Sequence, residues 1–192
     1  MVRRLIKISK YLSYHLRHRP DLLGLELAPG GWVEVDKLLE AAQNNHFPIS
    51  ETELKQVVEQ NDKQRFSFSD RGNFIRANQG HSIPIDLQLE PIIPPNVLYH
   101  GTHEGAVAVI QKQGLKKMSR HHVHLSAQIQ TAIAVGARRG DAVVFQIDAL
   151  KMSQAHYQFY RSHNGVWLTE FVPVKYLQLI VDRIKLKRAV HK

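Results

Sequence analysis

Arginine and histidine recur in this chain where they could handle an anion. Tyr14-His15-Leu16-Arg17-His18-Arg19 closes an apolar-periodic segment. On a helix Arg17 and His18 stand about 100° apart, so both project from one rim. Arginine offers a planar fork to phosphate oxygens, and histidine can share or transfer a proton. Cations at a helix C-terminus also answer the macrodipole. Arg65, in Asp62-Lys63-Gln64-Arg65-Phe66, could join such a site or be a rim charge on an edge strand. Arg76-Ala77-Asn78-Gln79-Gly80-His81-Ser82 has ordinary loop composition that also suits anion or nucleotide contact. Tyr99-His100-Gly101-Thr102 ends an extended run; glycine admits a ligand to the backbone, and His and Thr offer polar contacts. Arg120-His121-His122-Val123-His124-Leu125-Ser126 puts His122 and His124 on one strand face, with no carboxylate or cysteine nearby. Bound zinc usually recruits a third firm ligand, so contacts to a polar ligand fit this run better than a metal. P-loop, G-x-S-x-G, H-E-x-x-H and G-x-G-x-x-G patterns are all missing from the sequence.

Positioning these residues requires two kinds of element. In the first half Leu5, Ile8, Leu12 and Leu16 recur at helical spacing and predict a helix over 3–18. Arg19-Pro20-Asp21 stops it, because the residue before proline avoids the α region. Gly30-Gly31 reads as a turn and Trp32 to Val35 as a short extended piece. A helix capped by Asp36 runs through Asn44, with Leu38, Leu39, Ala41 and Ala42 inward. Ser50-Glu51-Thr52-Glu53 is a capping box opening a third helix to about Asn61. A hairpin follows, Arg65 to Phe68 and Phe74 to Arg76 around Asp70-Arg71-Gly72-Asn73. Three helices and then a hairpin is the order of a winged helix. Ser82 to Pro95 contains four prolines and reads as a linker, with a domain boundary near residue 93. The second half alternates: a strand over 97–100, a helix over 104–113 ended by Gly114, and a strand over 123–126. Next come a helix over 127–139 stopped by Gly140, a buried strand over 142–147, a hairpin turn at Asn164-Gly165, and a strand over 176–181. The class expected is α+β.

Composition narrows the partners. The chain has 192 residues, no cysteine, and a formal net charge of +9. Residues 1–90 carry 12 basic and 12 acidic side chains, whereas residues 91–192 carry 14 basic and 5 acidic, with 8 of the 12 histidines. The whole excess lies in the second half, which favours a polyanionic partner such as nucleic acid or a phosphorylated cofactor. Disulfides, thiolate metal sites and a cysteine nucleophile are excluded. No apolar run approaches the ~20 residues that span a bilayer, and the basic N-terminus lacks the apolar core of a secretory signal. The expected compartment is the cytoplasm.

Taken together, L-R-H at 16–18, N-D-K-Q-R-F at 61–66, I-R-A-N-Q-G-H-S at 75–82, L-Y-H-G-T at 98–102, H-L-S at 124–126 and N-G-V-W-L-T at 164–169 resemble the NAD-dependent RNA 2′-phosphotransferase family. The resemblance runs from about Ile8 to Val181. It implies a winged-helix, RNA-binding lobe over 1–92 and an ADP-ribosyltransferase-like, NAD-binding lobe over 93–192. It implies transfer of the internal 2′-phosphate of splice-junction tRNA to NAD, which is consumed. The products are 2′-hydroxyl RNA, nicotinamide and ADP-ribose 1″,2″-cyclic phosphate. The catalytic set implied is Arg17, His18, Arg65 and Arg120, converging on one cleft. The NAD-binding set is His100, Gly101, Thr102, His124 and Ser126. No metal, no membrane and a monomer are expected. The third-position glutamate of related ADP-ribosyltransferases is replaced by apolar Val166-Trp167-Leu168, as in the resembled family.

The chemistry makes those residue types intelligible. A 2′-phosphomonoester beside a phosphodiester carries about three negative charges, which three arginines can neutralise and orient. In the first step a phosphate oxygen attacks C1″ of the nicotinamide ribose. The phosphate is already ionised and nicotinamide leaves neutral, so neither base nor acid is needed. In the second step the ribose 2″-hydroxyl attacks phosphorus and the RNA 2′-oxygen departs. Charge stabilisation and proton transfer are needed there, which the arginines and His18 can supply. Two other classes stay in view. One is a winged-helix regulator with a ligand-sensing lobe, which the net-neutral first half disfavours. The other is an ADP-ribosyltransferase that stops after the first step.

Overall fold

The computed structural model describes residues 2–60 and 63–182 and divides the chain into two units, Met1–Leu89 and Glu90–Lys192. Asn61 and Asp62, the expected end of the third helix and the start of N-D-K-Q-R-F, lie outside the described residues.

In the first unit, helix α1 (Val2–His18) buries Ile8, Leu12 and Leu16 completely, as its periodicity requires. Strand β1 (Trp32–Glu34) leads directly into α2 (Val35–Asn44). The expected cap at Asp36 is corrected here. Glu34 occupies the N-cap without a side-chain bond, and Asp36 sits in the first turn, where its charge favours the dipole. Leu38 and Ala42 are buried, while Leu39 and Ala41 are only partly so. Helix α3 (Glu51–Glu59) opens with the complete capping box, Ser50 and Glu53 each accepting from the other's backbone N–H. Strands β2 (Phe66–Phe68) and β3 (Phe74–Ala77) form the hairpin. β1 pairs with the far side of β3, so the extended piece at Trp32 completes a three-stranded antiparallel sheet, β1-β3-β2. Leu54, Val57, Phe66 and Ile75 join α1 in one core.

The second unit is built on β4 (Val97–His103), β7 (Ala142–Asp148) and β11 (Leu177–Asp182), antiparallel in the order β11-β7-β4. Helix α4 (Glu104–Gln113) follows β4, and β5 (Leu115–Lys116) pairs with β10 (Phe171–Val172). Strands β6 (Val123–Leu125), β9 (Trp167–Thr169) and β8 (Phe159–Arg161) make another antiparallel sheet, β6-β9-β8. Mutual backbone bonds of 2.8 Å between Tyr99 and Ser126 stitch β4 to the end of β6. Helix α5 is shorter than its pattern: Ile129–Gly136 is α-helical, and Ala137–Arg139 tightens to a 3-10 turn. Helix α6 (Ala149–Gln154), unforeseen, starts where the Asp148 carboxylate accepts the Lys151 N–H. In the 164–165 turn it is Gly165 that takes a positive φ, +76°. Leu98, Phe145, Ile147, Met152 and Phe159 form the core. The chain is thus a mixed helix-and-sheet protein with antiparallel sheets throughout its described residues.

Candidate active site

The end of α1 is fixed by the segment that follows β3. The Ser82 N–H donates to the Arg17 carbonyl at 2.9 Å, and Ser82 Oγ meets His18 Nδ1 at 2.8 Å. One serine therefore holds both the backbone of Arg17 and the imidazole of His18. Gly80, with φ +88°, turns the chain so that its Cα side lies against the Arg17 guanidinium. Only glycine takes this backbone conformation freely. Arg17 Nη2 donates to the Arg65 carbonyl at 3.4 Å and its guanidinium stands 5.9 Å from the Phe66 ring.

The Arg65 segment is clamped in turn by Asn78. Asn78 N–H donates to the Arg65 carbonyl at 2.9 Å, Asn78 Nδ2 to the Gln64 carbonyl at 2.6 Å, and Ser67 Oγ to Asn78 Oδ1 at 2.8 Å. Arg17, His18 and the Arg65 backbone are thereby gathered on one frame of strand ends. Ser82 and Asn78 are absent from the expected site. Their motif is conspicuous in the sequence, and the Asn78 and Ser82 side chains serve in it as struts. Arg76 is spent structurally: it lies 4.5 Å over the Trp32 ring and donates to the Gly30 carbonyl at 3.3 Å. Ser82→Ala should lower kcat about two- to tenfold by releasing His18, the usual worth of one neutral hydrogen bond. An unchanged kcat with a raised KM would contradict that positioning role.

In the second unit, His100 on β4 bonds through Nδ1 to the His124 carbonyl at 3.0 Å. Arg120, in the turn before β6, stands 3.4 Å from His124 Nδ1 through Nη1. Ser126 is positioned by its backbone pair with Tyr99. His100, His124 and Arg120 thus form one connected cluster, and Ser126 is paired with the β4 residue just before His100. Thr102 shares the β4 face of His100 by strand alternation. Gly101 points the other way, and helix packing explains it: a Cβ there would lie 1.7 Å from the Ala132 carbonyl oxygen of α5. On that side the glycine admits the close approach of the helix. Among the described residues no group of three His, Cys, Asp or Glu side chains is arranged to hold a metal. No described helix is long and apolar enough to cross a membrane.

Burial pushes the His100 pKa down, helped by the nearby Arg120 charge and opposed by the bond to the His124 carbonyl. The ring is therefore neutral at pH 7. Its proton sits on Nδ1, where the carbonyl accepts it, and Nε2 keeps its lone pair. A neutral imidazole of this kind can accept through Nε2 from a hydroxyl or amide N–H of a bound molecule. The unfolded chain binds this proton more readily than the folded one. Its contribution to stability is complete above the ordinary histidine pKa of about 6.5 and is lost as the pH falls below it. Melting temperature should therefore fall on acidification from pH 7, and His100→Gln should flatten that fall. Half-buried His122, also shifted down by burial, leaves a residual slope. An unaltered slope in the variant would contradict the neutral state of His100.

Comparison with known proteins shows the family to which the chain belongs. The chain is 61% identical over 177 residues to a protein of Nostoc punctiforme named "Probable RNA 2'-phosphotransferase", covering 92% of this chain and 98% of that one. A Trichormus variabilis protein of the same name is 58% identical over 92% of this chain and 97% of its own length. One from Streptomyces coelicolor is 50% identical over 91% and 95%. The family described as RNA 2'-phosphotransferase, Tpt1 / KptA family, matches residues 3–171. The chain belongs to this family, and it is a transferase.

Proposed function

We propose that this chain moves the internal 2′-phosphate of RNA, of the splice-junction tRNA type, onto NAD. The observation that carries the reading is the frame built at the end of α1. There Ser82 holds His18 at 2.8 Å and Arg17 reaches the Arg65 backbone at 3.4 Å. Such a frame presents cations and a proton carrier at one edge of the first unit, as a phosphorylated RNA requires. Three helices with a β1-β3-β2 sheet favour assigning this unit as a winged-helix lobe. The His100-His124-Arg120 cluster favours the second unit as the NAD-binding, ADP-ribosyltransferase-like lobe. In it His100, Gly101, Thr102, His124 and Ser126 would hold the dinucleotide.

Arg17, Arg65 and Arg120 neutralise and orient the phosphate for attack on C1″, and nicotinamide departs as a neutral molecule. An ADP-ribosylated RNA results. In the second step His18 moves the proton as the ribose 2″-hydroxyl attacks phosphorus and the RNA 2′-oxygen leaves. Arginine charge does the work that Mg²⁺ does in many phosphoryl transfers, so no metal is invoked. The enzyme is assigned to the cytoplasm as a monomer.

Product analysis tests the reading. Incubation of a short, internally 2′-phosphorylated RNA with NAD should give ADP-ribose 1″,2″-cyclic phosphate. A stable ADP-ribosyl adduct would instead identify a one-step ADP-ribosyltransferase, and binding without turnover would identify a regulator.

A further inference from the structure

The exposed face of α1 carries charges that the fold does not need. Arg3, Lys7, Lys10, Tyr14, Arg17 and His18 recur at spacings of one, three and four. At 100° per residue they share an arc of about 100°, and at 1.5 Å per residue they extend over about 22 Å. Ile8, Leu12 and Leu16, on the opposite side, are fully buried. Arg3, Lys7 and Lys10 are exposed, and the Tyr14 ring is 48% exposed among them.

Polar residues are expected on the outer face of an amphipathic helix, but charges of a single sign are not. α1 contains no Asp or Glu, although the first 90 residues as a whole are charge-balanced. Arg3 with Lys7, and Lys7 with Lys10, repel at four- and three-residue spacing. Arg3 also sits in the first turn, where a cation opposes the macrodipole. Arg4, off the arc, is satisfied by Glu53 at 3.1 Å and by the Pro48 carbonyl. Arg3, Lys7 and Lys10 have no carboxylate within ion-pair distance among the described residues. Their arrangement works against helix stability, and the arc runs straight into Arg17 and His18.

We infer that this arc is a track for the backbone of a single RNA strand, leading to the phosphate site at Arg17 and His18. Arg3, Lys7 and Lys10 bind successive phosphates, and Tyr14 offers its ring to one base. The inference rests on the proposed phosphotransfer only for the direction of the track.

Two substrates carrying the same 2′-phosphorylated junction test it, a dinucleotide and a 12-mer. In the double variant Lys7→Gln/Lys10→Gln, KM for the 12-mer should rise on the order of tenfold, with kcat/KM for the dinucleotide unchanged. Binding of an unphosphorylated 12-nucleotide RNA, followed by anisotropy, should show its log K against log salt slope reduced by about 1.4, two phosphate contacts at ~0.7 each. Tyr14→Ala should weaken that binding about five- to a hundredfold, the worth of one stacked base. Melting temperature should hold or rise in the lysine variant, since repulsion is relieved. Equal losses on both substrates, or an unchanged salt slope, would overturn the track. If the unaltered enzyme turned over neither substrate, the phosphotransfer reading would fail by itself. The salt slope would still decide the track.

Discussion

Replacing His18 or Arg65 by alanine should leave an ADP-ribosylated RNA standing in the reaction. In the proposed reaction the first step asks for an ionised phosphate held in line, and its leaving group departs unaided. The second asks for a hydroxyl nucleophile and an alkoxide-like leaving group, so it leans harder on proton transfer and positive charge. Losing one charge-assisted contact costs ~1.5–3 kcal/mol, roughly a ten- to hundredfold loss of rate. Falling mainly on the second step, that loss moves the slow step and exposes the intermediate, which gel electrophoresis of labelled RNA would detect. Nicotinamide release falling in proportion to total turnover, with nothing trapped, would mean these groups act chiefly in orienting the phosphate for its first attack.

Gly101→Ala should unfold or severely destabilise the second unit. The added Cβ would lie 1.7 Å from the Ala132 carbonyl oxygen, and across the same contact a Cβ at Gly136 would lie 2.5 Å from the Thr102 carbonyl oxygen. The obstacle at both positions is backbone, one side a strand and the other a helix, so no side chain can turn away. Overpacking costs ~1–3 kcal/mol where side chains give way, and this contact belongs at or beyond the upper end. A melting temperature equal to that of the unaltered protein would refute the close packing of α5 on β4.

What the sequence revealed depended on distance along the chain. The α1 periodicity, the Ser50–Glu53 capping box and the β2–β3 hairpin are local, and each forms as its residues dictate. Partnerships set by tertiary contact were illegible. Nothing near Trp32 announces its pairing with Arg76, and β5, two residues long, exists only because Phe171 and Val172 reach it. The site follows the same rule. Arg17 and His18 are suggested by residue type and helical phase. The tether of His18 to Ser82, 64 residues on, and the bond from His100 to the His124 carbonyl needed the fold. Gly101 stands out in the sequence as a point of ligand access, and the fold adds a second requirement for glycine there, the helix packed behind it.

The stoichiometry of nicotinamide release against phosphate removal decides whether the phosphate goes to NAD. A short RNA with one internal 2′-phosphate, labelled on that phosphate, should be followed together with nicotinamide in a single reaction. Without NAD no label should leave the RNA. With NAD one nicotinamide should be released for each phosphate removed, the label ending in ADP-ribose 1″,2″-cyclic phosphate. Release of inorganic phosphate in the absence of NAD would show a hydrolase instead of a transferase to NAD.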